Sequence, residues 1–417
     1  MNIYCSGIGG IGLSAYAALQ NADGHHVSGS DRSVSDITRD LEDQGISVFN
    51  SQDGSHIPSD TDLFVYSEAI PEDAPERLRA AELDIRQCNY FQALGELSRD
   101  YTVIAVCGTH GKSSTTAMAT VMLLEAGFDP TVVVGTKIPQ LDNRNWRKGK
   151  SHIFLLEACE YRGSFLNLYP DIILMTNVDG DHFDSFSSLG DYHNVYRKFI
   201  DRLPEGGTVI THGNDIECVQ VTTKFIDADT YSLPALSVPG RHMQENAQLV
   251  VALADHLSID GSVDSLKKFT GTWRRMERKG DTKSGVTVID DYAHHPKEIA
   301  ATIAATRDAY PDRRIVCLFQ PHTHDRTIRF YNDFLTAFDG ADIVVITDVY
   351  DARSNIENQH VDIEKFTSDI HTESRYGGTL DEAKNILCST ILQQGDVLLV
   401  LGAGDITRIA TAIIETE

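Results

Sequence analysis

The chain has 417 residues, 41% apolar and 23% charged, which is too long for one core and reads as a globular protein of two or three domains, not a disordered or collagen-like one. A formal charge of −25 argues against nucleic acid or an anionic membrane as partner, so any anionic ligand must be met by local cations and helix N-termini. Seven cysteines without a C-x-x-C pair suggest neither a disulfide framework nor a zinc ribbon, and no basic leader or roughly 20-residue apolar run is present. The expectation is a soluble, cytoplasmic protein with no membrane insertion.

Short β-type runs at 2–6, 26–30 and 63–66, with a helix from about Ile11, give βαβ order and hence a parallel sheet. A stronger strand at 102–107 enters a glycine turn and a helix through Ala126, opening a second α/β domain with strands at 153–157, 172–176 and 208–211 and a helix at 244–256. The basic stretch 272–281, with Arg274, Arg275, Arg278 and Lys279, reads as the hinge into a third domain. Strands at 286–290, 315–319, 343–347 and 397–401 repeat the α/β alternation there.

Gly7-Ile8-Gly9-Gly10-Ile11-Gly12 follows the first strand and opens a helix, with Asp31 nineteen residues beyond Gly12. Alone this is a dinucleotide fingerprint, but its physical content is broader: glycines let backbone N–H groups approach any diphosphate at a helix N-terminus. Gly108-Thr109-His110-Gly111-Lys112-Ser113 is a shortened phosphate loop, with Val106 where the first glycine is usual, running into Ser114, Thr115 and Thr116. Here Lys112 would reach the β/γ-phosphates of ATP and the Ser113 hydroxyl would ligate Mg2+. Glu157, Glu160, Asp179, Asp181, His182 and Asp184 follow two of the next strands, where ligands of α/β sheets gather and where one or two acids are expected to hold magnesium. Three strand ends of the third domain carry polar clusters that suggest one shared site: Asp290 to His295 before Pro296, Gln320 to Thr327, and Asp348, Tyr350 and Asp351.

Taken together, GIGGIGLS (7–14), GTHGKSST (108–115), SFLNLYPDI (164–172), TNVDGDHFD (176–184), RRMERKG (274–280), DDYAHHPKEI (290–299), FQPHTHDRT (319–327) and LGAGDI (401–406) resemble, in order and over nearly the whole chain, the Mur ligase family. The resemblance implies three domains. Residues 1–99 form a Rossmann-like domain holding a UDP-sugar, 100–278 a central P-loop ATPase, and 279–417 a Rossmann-like domain closing on ATP and the amino acid. It implies an ATP- and Mg2+-dependent ligase, most similar to the branch that joins L-alanine to UDP-N-acetylmuramic acid through an acyl phosphate. By that likeness the first glycine loop, with Gly9, Gly10 and Ile11, cradles the UDP diphosphate, and Asp31, Ser33, His56 and Ser67 are further sugar-nucleotide contacts. Gly108, Thr109, His110, Gly111, Lys112, Ser113, Ser114, Asn177, Asn246, Arg326 and Asp351 would hold the nucleotide, and Ser113, Glu157 and His182 the metal. Tyr292, His294 and His295 would stand near the amino acid, with the base left open between the histidines and nearby acids. Lys112, Glu157, His182, His294 and Arg326 are the expected catalytic set.

The chain departs from this branch at Cys159, Tyr161 and Arg162, where EADESD is usual, and at Thr323-His324, where Arg-Tyr follows FQPH. Tyr161 is similar to the relative that attaches a ready-made tripeptide to the same sugar, so that ligase is the nearest alternative. An NAD-dependent oxidoreductase follows from the first glycine loop alone, and a non-catalytic nucleotide-binding protein from the altered acids.

Overall fold

The computed structural model describes residues 1–180, 186, 188–219, 223–351 and 360–416. Its strands fall into three sheets. The first contains β1 (Asn2–Ser6), β2 (His26–Ser30), β3 (Ser47–Phe49), β4 (Leu63–Tyr66) and β5 (Arg86–Asn89), parallel throughout in the order β3-β2-β1-β4-β5. The second contains β6 (Thr102–Cys107), β7 (Thr131–Ile138), β8 (Arg144–Arg147), β9 (Ile153–Glu157), β10 (Ile172–Met175), β11 (Thr208–Thr211) and β12 (Phe225–Asp227), in the order β12-β11-β10-β6-β9-β7-β8. The third contains β13 (Glu277–Asp281), β14 (Thr287–Asp291), β15 (Ile315–Phe319), β16 (Ile343–Thr347), β17 (Ser374–Gly378) and β18 (Val397–Leu401), in the order β13-β14-β18-β15-β16-β17. Only the β7/β8 and β13/β14 pairs are antiparallel among the described strands. This is the expected α/β architecture with three parallel-based sheets.

The period-two alternation of each central strand sends apolar side chains to both faces, which is how a parallel sheet is buried under helices on either side. In β1, Ile3 and Cys5 pack with Leu13, Tyr16 and Ala17 of the helix Ile11–Ala22, while Tyr4 packs with Phe64, Ala80 and Ile85 on the opposite face. Residues 1–235 with 245–269 form one compact unit holding the first two sheets, and 236–244 with 270–417 form a second holding the third sheet. Among the described residues no helix is long and apolar enough to cross a membrane.

Part of the segment read as a hinge is a strand. Glu277–Asp281 is the edge strand β13, so a boundary at 278/279 falls inside it. Its charges are those of a solvated edge, with Lys279 on Glu277 at 3.1 Å and Arg278 on Asp281 at 2.5 Å. The strand read at 286–290 runs over Thr287–Asp291, and the helix read from 244 begins at Arg241, after Gly240 at φ +107°.

Candidate functional site

The most complete part of the site stands where β6 ends. Gly108 and Gly111 both take positive φ, 138° and 81°, so the chain turns tightly and enters the helix Lys112–Glu125 without a side-chain cap. The first-turn amides of a helix have no intrahelical acceptor and carry its positive pole, which makes this mouth an anion cradle. Gly111 is needed for space as well as for φ: a Cβ there would lie 2.5 Å from Oδ1 of the buried Asn246. The loop hangs from the end of β10, where Asn177 accepts the Thr109 amide on its carbonyl (2.9 Å) and the His110 amide on Oδ1 (3.0 Å). Its Nδ2 donates to the His110 carbonyl (3.1 Å), as does Thr176 Oγ1 (2.5 Å). Thr109 Oγ1 lies 2.8 Å from the Tyr192 hydroxyl, which in turn meets Tyr196 at 3.0 Å. All the predicted loop residues from Gly108 to Ser114, with Asn177 and Asn246, are therefore brought together.

Lys112 donates to the carbonyls of Gly108 (2.5 Å) and Thr109 (3.1 Å), and its ammonium pairs with Glu160 at 2.9 Å. Burial pulls the ammonium down, but the wholly buried Glu160 carboxylate outweighs it and holds Lys112 well above the ordinary lysine range. This corrects the sequence reading of Glu160, which grouped it with the acids available to a metal; it is the counter-charge of Lys112. Glu157 fits the metal reading: its Oε2 accepts from Ser113 Oγ at 2.9 Å and from the Gly135 amide at 2.8 Å. A hydroxyl and a carboxylate side by side are hard oxygen donors suited to magnesium, which keeps several waters and needs no cage. No cluster of three His, Cys, Asp or Glu gathers around a common point among the described residues. His182, with Asp181 and Asp184, lies outside the described residues.

Three departures from the family pattern, Cys159, Tyr161 and Arg162, stand near this site. Cys159 is half-buried beside the Lys112–Glu160 pair, and burial and then Glu160 push its thiol up to about 12. Arg162 is exposed at φ 51° with its guanidinium over the Tyr161 ring.

In the first sheet the Gly7 and Ile8 amides both donate to the Ser30 carbonyl (2.8 and 2.9 Å), and the Gly9 amide donates to Asp31 Oδ2 (2.9 Å). Asp31 Oδ1 takes the Ser33 amide at 3.0 Å, so this carboxylate braces the loop. Gly10 is the N-cap of the helix Ile11–Ala22 and offers no side chain, leaving the first-turn amides for an anion. Ser67 flanks Gly7, its amide on the Ser6 carbonyl at 3.0 Å. His56 stacks on Phe49 at 4.2 Å, and the Phe49 carbonyl accepts the Asp31 amide at 3.0 Å. The loop and the second sheet are tied directly, since Asn145 Nδ2 donates to the Ile11 carbonyl at 2.5 Å.

In the third sheet the predicted clusters meet at one end, because β14, β18, β15 and β16 run parallel in register. Rings form a row: Tyr292 to His294 at 5.3 Å, His294 to His322 at 5.8 Å, and His322 to Tyr350 at 5.8 Å. Arg326 Nη1 lies 3.1 Å from His322 Nδ1, and the helix carrying Arg326 is capped by Thr323, whose Oγ1 accepts the Arg326 amide at 3.4 Å. His324 Nδ1 accepts the Val361 amide at 3.3 Å, so both residues that replace Arg-Tyr hold backbone. The two histidines differ. His294 Nδ1 lies 3.0 Å from the Tyr292 carbonyl and 3.3 Å from Glu298, whereas His295 is buried and caps the helix Pro296–Ala309 through the Lys297 amide. Asp351 is exposed just beyond Tyr350.

Sequence reasoning missed three contributors. Gly135 backs Glu157. Arg274, buried at φ 55°, donates to the carbonyls of Gly402 and, at 3.0 Å, Gly404, and so shapes the last glycine turn. Glu76 lies buried beneath the first glycine loop. A lone acid inside a helix pattern carries no signal of that kind, but Arg274 does stand in the quoted RRMERKG motif.

Residues 2–102 match the family model described as Mur ligase family, catalytic domain, residues 106–236 the Mur ligase middle domain, and residues 274–404 the Mur ligase, glutamate ligase domain. The UDP-N-acetylmuramate–L-alanine ligase of Clostridium novyi is 34% identical over 463 residues, covering 100% of this chain and 97% of that protein. The enzyme of that name from Clostridium kluyveri is 37% identical over 445 residues, covering 98% and 96%. Among solved structures, a UDP-N-acetylmuramate-alanine ligase from Thermotoga maritima superposes with a TM-score of 0.84 at 28% identity, covering 100% of this chain and 98% of that one. A murein peptide ligase from Psychrobacter arcticus shares the fold, with a TM-score of 0.74 at 22% identity over 100% and 98%. With three family models in order and relatives this similar over their full length, the chain belongs to the Mur ligase family.

Proposed function

We propose that this chain is an ATP- and magnesium-dependent ligase that joins L-alanine to the carboxylate of UDP-N-acetylmuramic acid, a cytoplasmic step of peptidoglycan precursor synthesis. The full-length likeness to the alanine ligases carries this reading. The first domain takes the UDP-sugar on its glycine loop, the central domain takes ATP, and the third brings the amino acid. The alternatives are not favoured: the murein peptide ligase is matched at lower identity, the oxidoreductase leaves the second glycine loop with Lys112 and Ser113 unexplained, and full-length relatives named as ligases weigh against a non-catalytic protein.

A free carboxylate is a poor acyl donor, so the muramyl carboxylate oxygen first attacks the γ-phosphorus of ATP, and the bond from that phosphorus to ADP breaks. Positioning and charge neutralisation dominate phosphoryl transfer. Lys112, at the first position of the helix and held by the Gly108 and Thr109 carbonyls and by Glu160, would turn its ammonium to the phosphates, and the first-turn amides of Lys112–Glu125 would supply the remaining positive field. Magnesium, held by Ser113 and Glu157 with His182, would neutralise phosphate charge there. Attack of the deprotonated amino group on the acyl carbon then gives a tetrahedral intermediate, from which phosphate leaves. Release of phosphate from ATP and magnesium should require both UDP-N-acetylmuramic acid and L-alanine, with a product of the corresponding mass. Release that depends instead on the tripeptide would move the chain to recycling.

A further inference from the structure

Beneath the first glycine loop lies a carboxylate that the mechanism above does not use. Glu76, in the first turn of the helix Pro75–Glu82, is 1% exposed and accepts three hydroxyls: Tyr4 at 2.8 Å, Ser6 at 2.5 Å and Ser30 at 2.7 Å. Burying a carboxylate is costly, and charge-assisted bonds of this kind offset the cost. What the acid supplies, and an apolar side chain of the same volume would not, is direction. Ser6 and Ser30 are the last residues of β1 and β2 and are register partners. The Ser30 carbonyl carries the Gly7 and Ile8 amides, the adjoining Asp31 carries the Gly9 amide, and the Ser6 carbonyl carries the Ser67 amide. Three consecutive loop amides thus hang from the segment that Glu76 fastens, and the next ones open the helix Ile11–Ala22.

We infer that Glu76 is a positioning residue for UDP-sugar binding, whose buried carboxylate fixes the two strand ends from which the diphosphate loop is suspended. The inference rests on the reading that this loop takes the UDP-sugar. Charge alone gives the opposite expectation, since a negative group under an anion site repels the ligand and its removal would tighten binding. The sign of the change in E76Q therefore separates the two.

The test is calorimetric titration of the full chain with UDP-N-acetylmuramic acid in the absence of ATP, alongside KM values for both substrates and the thermal midpoint. Expected is a rise of about tenfold in the Kd of E76Q for the UDP-sugar, of the order that loss of a bond to a charged group produces, with the KM for ATP and kcat at saturation unchanged. S30A, which removes one hydroxyl and leaves the acid, should show a smaller rise in the same direction. It carries the comparison if E76Q does not fold. Equal or tighter sugar binding by E76Q overturns the inference, as does a parallel rise in the KM for ATP, which marks general loosening. Wild-type protein that binds ATP but not the UDP-sugar overturns the functional reading itself, whereas wild-type binding with E76Q unaltered overturns only the role of Glu76.

Discussion

Removing the counter-charge of the loop lysine tests the central site most directly. In E160Q the Lys112 ammonium, 13% exposed, loses the carboxylate that stands 2.9 Å away and is itself 0% exposed. Breaking a buried pair from one side costs about 3–5 kcal/mol, because the remaining charge is left uncompensated. Glutamine keeps a polar acceptor, so we take the lower end, ~3 kcal/mol, which for a unit of this size is a fall of roughly 6–12 °C in the thermal midpoint. The sign with pH follows from the raised lysine value. The pair's contribution is fully present below the ordinary value of 10.5 and is lost only as pH rises through the higher folded value, so the deficit stays flat from neutrality to about pH 10. ATP phosphates offer Lys112 a replacement counter-charge. Saturating ATP, worth ~2.7 kcal/mol at a hundred times Kd in a simple binding linkage, should therefore stabilise E160Q more than wild type. Differential scanning calorimetry of both proteins with and without ATP and magnesium reads this out. Melting of E160Q together with wild type, or weaker stabilisation of it by ATP, would refute this role of Glu160. Replacing both partners with apolar residues, K112M/E160L, should recover most of the stability and none of the activity.

Other consequences divide the two glycine loops. K112A should abolish phosphate release while leaving calorimetric UDP-sugar binding nearly intact, and equal loss of both would contradict the assignment of the two ligands to separate loops. G111A places a Cβ 2.5 Å from Asn246 Oδ1 at a φ of +81° and should raise the KM for ATP by about tenfold or more, whereas G9A, whose Cβ would lie 2.8 Å from Asp31 Oδ2, should raise the KM for the UDP-sugar alone. S113A removes a hydroxyl 2.9 Å from Glu157 and should shift the magnesium dependence of activity to higher concentration, read by titrating the metal at fixed ATP. Because burial and then Glu160 push the half-buried Cys159 thiol up, little of it is thiolate at pH 8, so iodoacetamide should label the exposed Cys218 well before it. Peptide mass mapping that finds Cys159 modified first would refute that environment.

Much of the fold is legible because parallel strands buried on both faces are runs such as TVIAVC and VLLVL, which stand out against their flanks. Seven of the described strands escape, most because burial leaves no such mark: β5 and β8, RQCN and RNWR, are short polar edges, whereas β7, TVVVGTKI, is a buried run that the reading passed over. β13 and β17, ERKGD and SRYGG, are edges whose identity comes from a neighbour's hydrogen bonds, and β3 and β12 are three residues long. The site divides in the same way. Glycines, Lys112 and Ser113 are visible because a phosphate cradle needs those residue types at that spacing, whatever surrounds them. Glu160 is invisible in its role, since an acid three residues after another at a strand end reads equally as metal ligand or ion-pair partner, and only the 2.9 Å approach of Lys112 decides. His294 and His295 pose the same problem at one residue's remove. They are equivalent in sequence, yet the first turn of the helix Pro296–Ala309 takes His295 as its cap and buries it against Phe330, while His294 stands in the row of rings with His322 and Tyr350. Residue type and spacing thus name the ligand class, and it takes the third dimension to tell a group that meets the ligand from one that holds another group in place.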